Sequence, residues 1–102
     1  MIKVSFSKNG FTISGHSGYE DAGKDIVCAA VSSCANMFLC GTEDVLEIGC
    51  NIETDASIPF LKVEIPTGIS DEKRKTAQVL LESFKFQVKS MEEDFSEYLK
   101  VF

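Results

Sequence analysis

Basic charge is scarce in this chain: 10 Lys+Arg stand against 16 Asp+Glu, a formal net charge of −6. Tracking a phosphate backbone needs a basic footprint, so no direct nucleic-acid binding is expected. An acidic surface suits a basic protein partner, although it chiefly serves solubility. Histidine is scarcer still, with His16 alone. None of the four cysteines forms a CxxC pair. A structural zinc site draws on such ligands at fixed spacings, so no metal is expected. No apolar run approaches the ~18–20 residues of a membrane-spanning helix, and no membrane association is expected. The opening Met1-Ile2-Lys3-Val4-Ser5-Phe6 alternates like a strand and carries no signal-peptide core, which points to the cytoplasm.

What is present suffices for one domain over residues 1–102, in which 44% of residues are hydrophobic and 25% charged. Such a chain is apolar enough to bury a core without staples and too apolar for a disordered tail. Cys28, Cys34 and Cys40 fall at intervals of six in one apolar, helix-like stretch. Residues six apart on a helix are ~9 Å apart along its axis, beyond the ~7 Å between Cα atoms that a disulfide spans.

The hydropathy pattern divides the chain into six elements. Ile2 to Phe6 and Phe11 to Ser14 read as strands, and Ser7-Lys8-Asn9-Gly10 between them is a hairpin signal. The glycine-rich segment Gly15 to Lys24 reads as a loop. From Asp25 the apolar positions Val27, Ala30, Val31, Cys34 and Phe38 recur at helical spacing, with Gly41 as the expected stop. Val45 to Ile52 and Phe60 to Ile65 read as two more strands. A last helix opens at Ser70-Asp71-Glu72 and is expected to run almost to Phe102, its acidic first turn suiting the helix dipole. The expectation is an α+β, two-layer fold in the order ββαββα. An antiparallel four-stranded sheet would carry both helices on one face.

Two residues stand out for chemistry. With Asp25 as N-cap, Cys28 is the third helical residue. Its sulfur then lies in the first turn, near unpaired N–H groups and the positive end of the dipole, which favours the nucleophilic thiolate. His16 follows the second strand, and a strand end and the next helix start can face each other across the eight-residue loop 17–24. A cysteine with a histidine base is the minimum for thiol acyl transfer, and helix-start amides could supply an oxyanion hole. Ser17, Gly18, Tyr19 and Lys24 belong to that loop, a candidate lid over an extended substrate. Taken singly, each residue also fits a plain structural role. Cys28 could be a small core hydrophobe, His16 a surface group, Asp25 a cap and Ser32 a packing residue.

The runs Gly15-His16-Ser17-Gly18-Tyr19 and Gly23-Lys24-Asp25-Ile26-Val27-Cys28-Ala29-Ala30-Val31-Ser32 resemble the signature of the bacterial ribosomal-processing cysteine protease family. That family has a GH element and, after a short loop, a G-x-D-[IL]-V-C-A-[AG]-V-[ST] element. The resemblance implies Cys28 as nucleophile and His16 as general base. Asp25 and Ser32 would hold supporting positions, and Gly15 and Gly23 would bound the loop. It implies a homodimer without metal or cofactor. Its substrate would be the twenty-seventh large-subunit ribosomal protein, made with a short N-terminal extension that is removed by a cut after phenylalanine. Two other readings remain: a non-catalytic, ribosome-associated dimeric binding module, and a thiol-redox protein, which the lack of a resolving cysteine disfavours. In the last helix Ala77, Leu81, Phe84, Val88, Met91, Phe95, Tyr98 and Phe102 step by four and three. This is a heptad seam, open either to the sheet or to a second copy.

Overall fold

A computed structural model describes residues 1–16, 18 and 25–102. The first hairpin forms where its signal lies, β1 (Ile2–Ser7) and β2 (Gly10–Ser14) pairing antiparallel with Ser7 opposite Gly10. Gly10 belongs to the strand, not the turn, and a side chain there would collide with the Val63 carbonyl of the next strand. Two further strands, β3 (Asn51–Thr54) and β4 (Phe60–Glu64), pair with each other, and β4 pairs with β2. All of these pairings are antiparallel.

A fifth strand corrects the expected four-stranded antiparallel sheet. The second helix, α2 (Asp71–Asp94), stops short of Phe102, and β5 (Leu99–Val101) lies parallel to β1. The sheet is thus mixed, in the order β3-β4-β2-β1-β5. The acidic run Glu92-Glu93-Asp94 is a poor fit to the negative end of a helix dipole. Tyr98, Val101 and Phe102 are strand-favouring residues. The Val101 amide donates to the Glu92 carboxylate at 2.7 Å, tying the returning strand to the helix it has just left. At 24 residues α2 is about 36 Å long, within the molecule's 41 Å longest dimension.

The first helix, α1 (Ile26–Leu39), is likewise not stopped by Gly41. It continues as a π-helical segment, Cys40–Val45, in which the Leu46 amide reaches back five residues to the Gly41 carbonyl. Gly41 serves a close approach instead: a Cβ there would meet Leu80 Cδ1 of α2 at 2.7 Å. The combined stretch Ile26–Val45 is long and apolar enough to match a membrane span by length and composition, contrary to the sequence expectation. Yet its stripe Val27, Val31, Ala35, Phe38 and Thr42 is buried in the protein. The expected strand over Val45 to Ile52 is accordingly shorter and displaced, to Asn51–Thr54.

Both helices bury one face against the same side of the sheet. Ile2, Val4, Phe11 and Val63 from alternate strand positions join Val27, Val31, Ala35 and Phe38 of α1 in one core. Ala77, Leu81, Phe84 and Val88 of α2 enter it too, with Leu99 of β5. The heptad seam is thus consumed internally, while Phe95, Tyr98 and Phe102 lie beyond the helix.

Candidate active site

A cleft of about 430 Å³ opens between α1 and the neighbouring ends of β2 and β4. Asp25 sets the start of α1. Its Oδ1 accepts from the amides of Val27 and Cys28, both at 3.0 Å, and its extended backbone makes it the N-cap. Cys28 is therefore in the first turn, half-buried, and its side chain borders the cleft. The carboxylate occupies two of the first-turn amides that the sequence reading offered as an oxyanion hole. In this state those two donors are not available to a substrate carbonyl.

His16 borders the same cleft from the other side, exposed beyond the end of β2. Gly15 holds it there. Its φ is +85°, a conformation costly for any residue with a Cβ, and a Cβ would also run into the Met1 carbonyl. Its amide donates to the Pro59 carbonyl at 3.1 Å, which fixes the end of β2 against the start of β4. Ser32, one turn after Cys28, is exposed on the cleft margin. Gly18 is exposed with φ +73°, and among the described residues nothing lies within reach of a Cβ there. Ser17, Tyr19, Gly23 and Lys24 lie outside the described residues.

The other three cysteines are elsewhere. Burial pushes the Cys34 thiol up from its ordinary value. Cys50 is pushed up chiefly by burial, partly offset by a hydrogen bond with Thr42 and reinforced by Glu43. Cys40 is exposed. Among the described residues no three His, Cys, Asp or Glu side chains gather to hold a metal ion.

The remaining cleft lining was missed in the sequence. Val31, Ala35 and Asn36 share the Cys28 face of α1 at helical spacing, a signal that was there to find. Ile2 of β1, Ile13 of β2 and Pro59, Phe60 and Leu61 at the start of β4 are far apart in the chain, and the β1–β2 and β2–β4 pairings, with Ile13 opposite Leu61, bring them together. The outcome is a groove with a mostly apolar floor and a thiol and an imidazole on its rim.

A family model described as cysteine protease Prp matches residues 1–100. The chain belongs to that family and is a cysteine protease, which displaces the non-catalytic and redox readings. It is 30% identical over 97 residues to the ribosomal processing cysteine protease Prp of Bacillus subtilis, spanning 89% of this chain and 81% of the relative. A second relative of the same name, from Mycoplasma pneumoniae, is 36% identical over 66 residues, 64% of this chain and 62% of that one. The fold matches the Staphylococcus aureus Prp protease solved with a covalently linked product peptide. The TM-score is 0.79 at 18% identity, over 98% of this chain and 94% of that one. The same enzyme with a substrate peptide gives 0.75 at 16% identity, over 99% and 95%.

Proposed function

We propose that this chain, acting as one domain, removes the N-terminal extension of the twenty-seventh large-subunit ribosomal protein in the bacterial cytoplasm, cutting after phenylalanine. The observation that carries the reading is that Cys28 and His16 border one groove with an apolar floor. In the reaction, His16 takes the Cys28 proton and the sulfur attacks the scissile carbonyl carbon. The imidazolium returns the proton to the leaving amine, and water then releases the acyl group from sulfur. Asp25 orients the helix start, and Ser32 and Gly15 support the two reacting groups. The floor of Ile2, Ile13, Val31, Ala35 and Leu61 suits an aromatic side chain. Burying an unpaired carboxylate there would cost several kcal/mol, roughly. The active form is a homodimer that uses neither metal nor cofactor.

The test is incubation with the extended ribosomal protein from the same organism, read by mass. One cut after phenylalanine is expected, lost in Cys28→Ala and His16→Ala. Cleavage is expected to persist in Cys34→Ala and Cys50→Ala. A Cys28→Ala protein that still cuts in single turnover would refute the assignment.

A further inference from the structure

The groove extends well past the two groups assigned to chemistry. Along α1 it is bordered by Cys28, Val31, Ser32, Ala35 and Asn36, positions i, i+3, i+4, i+7 and i+8. The helix therefore lays two parallel rows along the groove. Val31 and Ala35 are buried and form floor, while Ser32 and Asn36 are exposed and, with half-buried Cys28, form a polar rim. Eight residues of α-helix put Asn36 about 12 Å from Cys28 along the axis, the reach of roughly three to four residues of extended peptide.

Asn36 is placed to meet such a peptide. The Thr42, Thr76 and Ser83 side chains all turn back to the carbonyl four residues earlier. The Asn36 amide group makes no hydrogen bond among the described residues and borders the cleft. A primary amide offers one acceptor and two donors, the same pair of functions as a peptide unit. An extended chain in a groove presents N–H and C=O groups sideways, and an amide on the rim can take one of each. Beneath it Ala35 is the smallest side chain of the floor, leaving depth for an apolar residue of the same peptide.

We infer that Asn36 is a substrate-binding residue that clamps the peptide main chain three to four residues from the scissile bond, on the side toward the C-terminal end of α1. The inference rests on the proposed endopeptidase reading and deepens it. Because the clamp reads main chain, it selects for length of extended peptide beyond the cut and not for a particular side chain there.

The experiment compares wild type, Asn36→Ala and Asn36→Leu on two nested sets of peptides sharing one scissile bond. One set is shortened from the N-terminal end and the other from the C-terminal end. Asn36 is exposed, so both variants are expected to unfold at the wild-type temperature. On the longest peptide each variant should raise KM about fivefold to tenfold at unchanged kcat, as loss of a hydrogen bond made equally in ground and transition states. In one of the two sets the wild-type KM should step up where the peptide becomes too short to reach Asn36. Below that length variants and wild type should coincide. Equal KM for variants and wild type at every length overturns the inference. So does a fall in kcat independent of peptide length, which marks a structural role. Wild-type enzyme that cuts neither the peptides nor the extended ribosomal protein overturns the proposed function itself, and the inference with it.

Discussion

Phe11 joins the two layers of the protein. It is buried in the middle of the sheet, edge-on to Phe84 of α2 at 4.8 Å and to Phe38 of α1 at 5.4 Å between ring centroids. Such perpendicular pairs add to the burial of the rings themselves. Phe11→Ala removes partners from both helices at once and leaves a cavity among large, stiff neighbours. A loss of about 3–5 kcal/mol is expected, measured by urea unfolding of the purified variant. The sequence marked Phe11 only as the first residue of a strand, because ring contacts with residues 27 and 73 positions away have no local signature. Cys28 and Asp25 were legible for the opposite reason. A helix start is encoded within four residues, and Asp25 caps α1 as its residue type suggests. Asn36 lay between these cases, on a visible helical face whose use depends on strands that the sequence did not bring near it.

At the scale of elements, the two helix starts were readable and the helix ends were not. Asp25 and Ser70 both cap with their side chains, the latter accepting from Lys73 at 3.2 Å. The ends depend on tertiary demands. Gly41 is small so that α1 and α2 can approach, and the helix runs on through it. The helical rod finally gives way at Glu47, whose φ of +56° is left-handed. α2 ends because β1 has an edge that β5 pairs, with the Ile2 amide donating to Tyr98 and the Phe102 amide to Val4. A four-strand reading had no way to know that edge would be filled. The cap at Asp25 is open to test. Asp25→Ala strips the Val27 and Cys28 amides of their shared acceptor and should cost ~1 kcal/mol, lowering the melting temperature by roughly 4–8 °C for a protein this small. Asp25→Asn keeps an oxygen at the same place and should recover most of the loss in the same thermal scan. If the two variants melt alike, the carboxylate acts by its charge and not as a cap.

At the scale of the molecule, the surface of the helical layer is what remains to be matched with the proposed homodimer. The heptad seam of α2 faces inward, with Ala77 and Val88 at 0% exposure, so a second copy has no access to it. The outward faces are a different matter. No charged residue occurs anywhere in α1, and Ile26 and Met37 are exposed on it. On α2, Val79 and Phe86 are seven residues apart, hence on one face, with Phe86 70% exposed. Surface helices in a monomer normally carry their charges on the side away from the core. An uncharged α1 that hides only one stripe is therefore short of cover. A second copy laid across the helical layer would supply it and would leave the groove, which opens between α1 and the strand ends, accessible to peptide. Met37→Glu and Phe86→Glu should each shift the protein from dimer to monomer in sedimentation velocity, since an isologous contact brings each new carboxylate in twice. Neither side chain is in the core, so both variants should keep their thermal unfolding cooperative. A dimer that persists in both variants would move the contact to the exposed edge at β3, whose residues Asn51–Thr54 are open along their whole length. A wild-type protein that sediments as a monomer at every concentration would end the proposal of a homodimer.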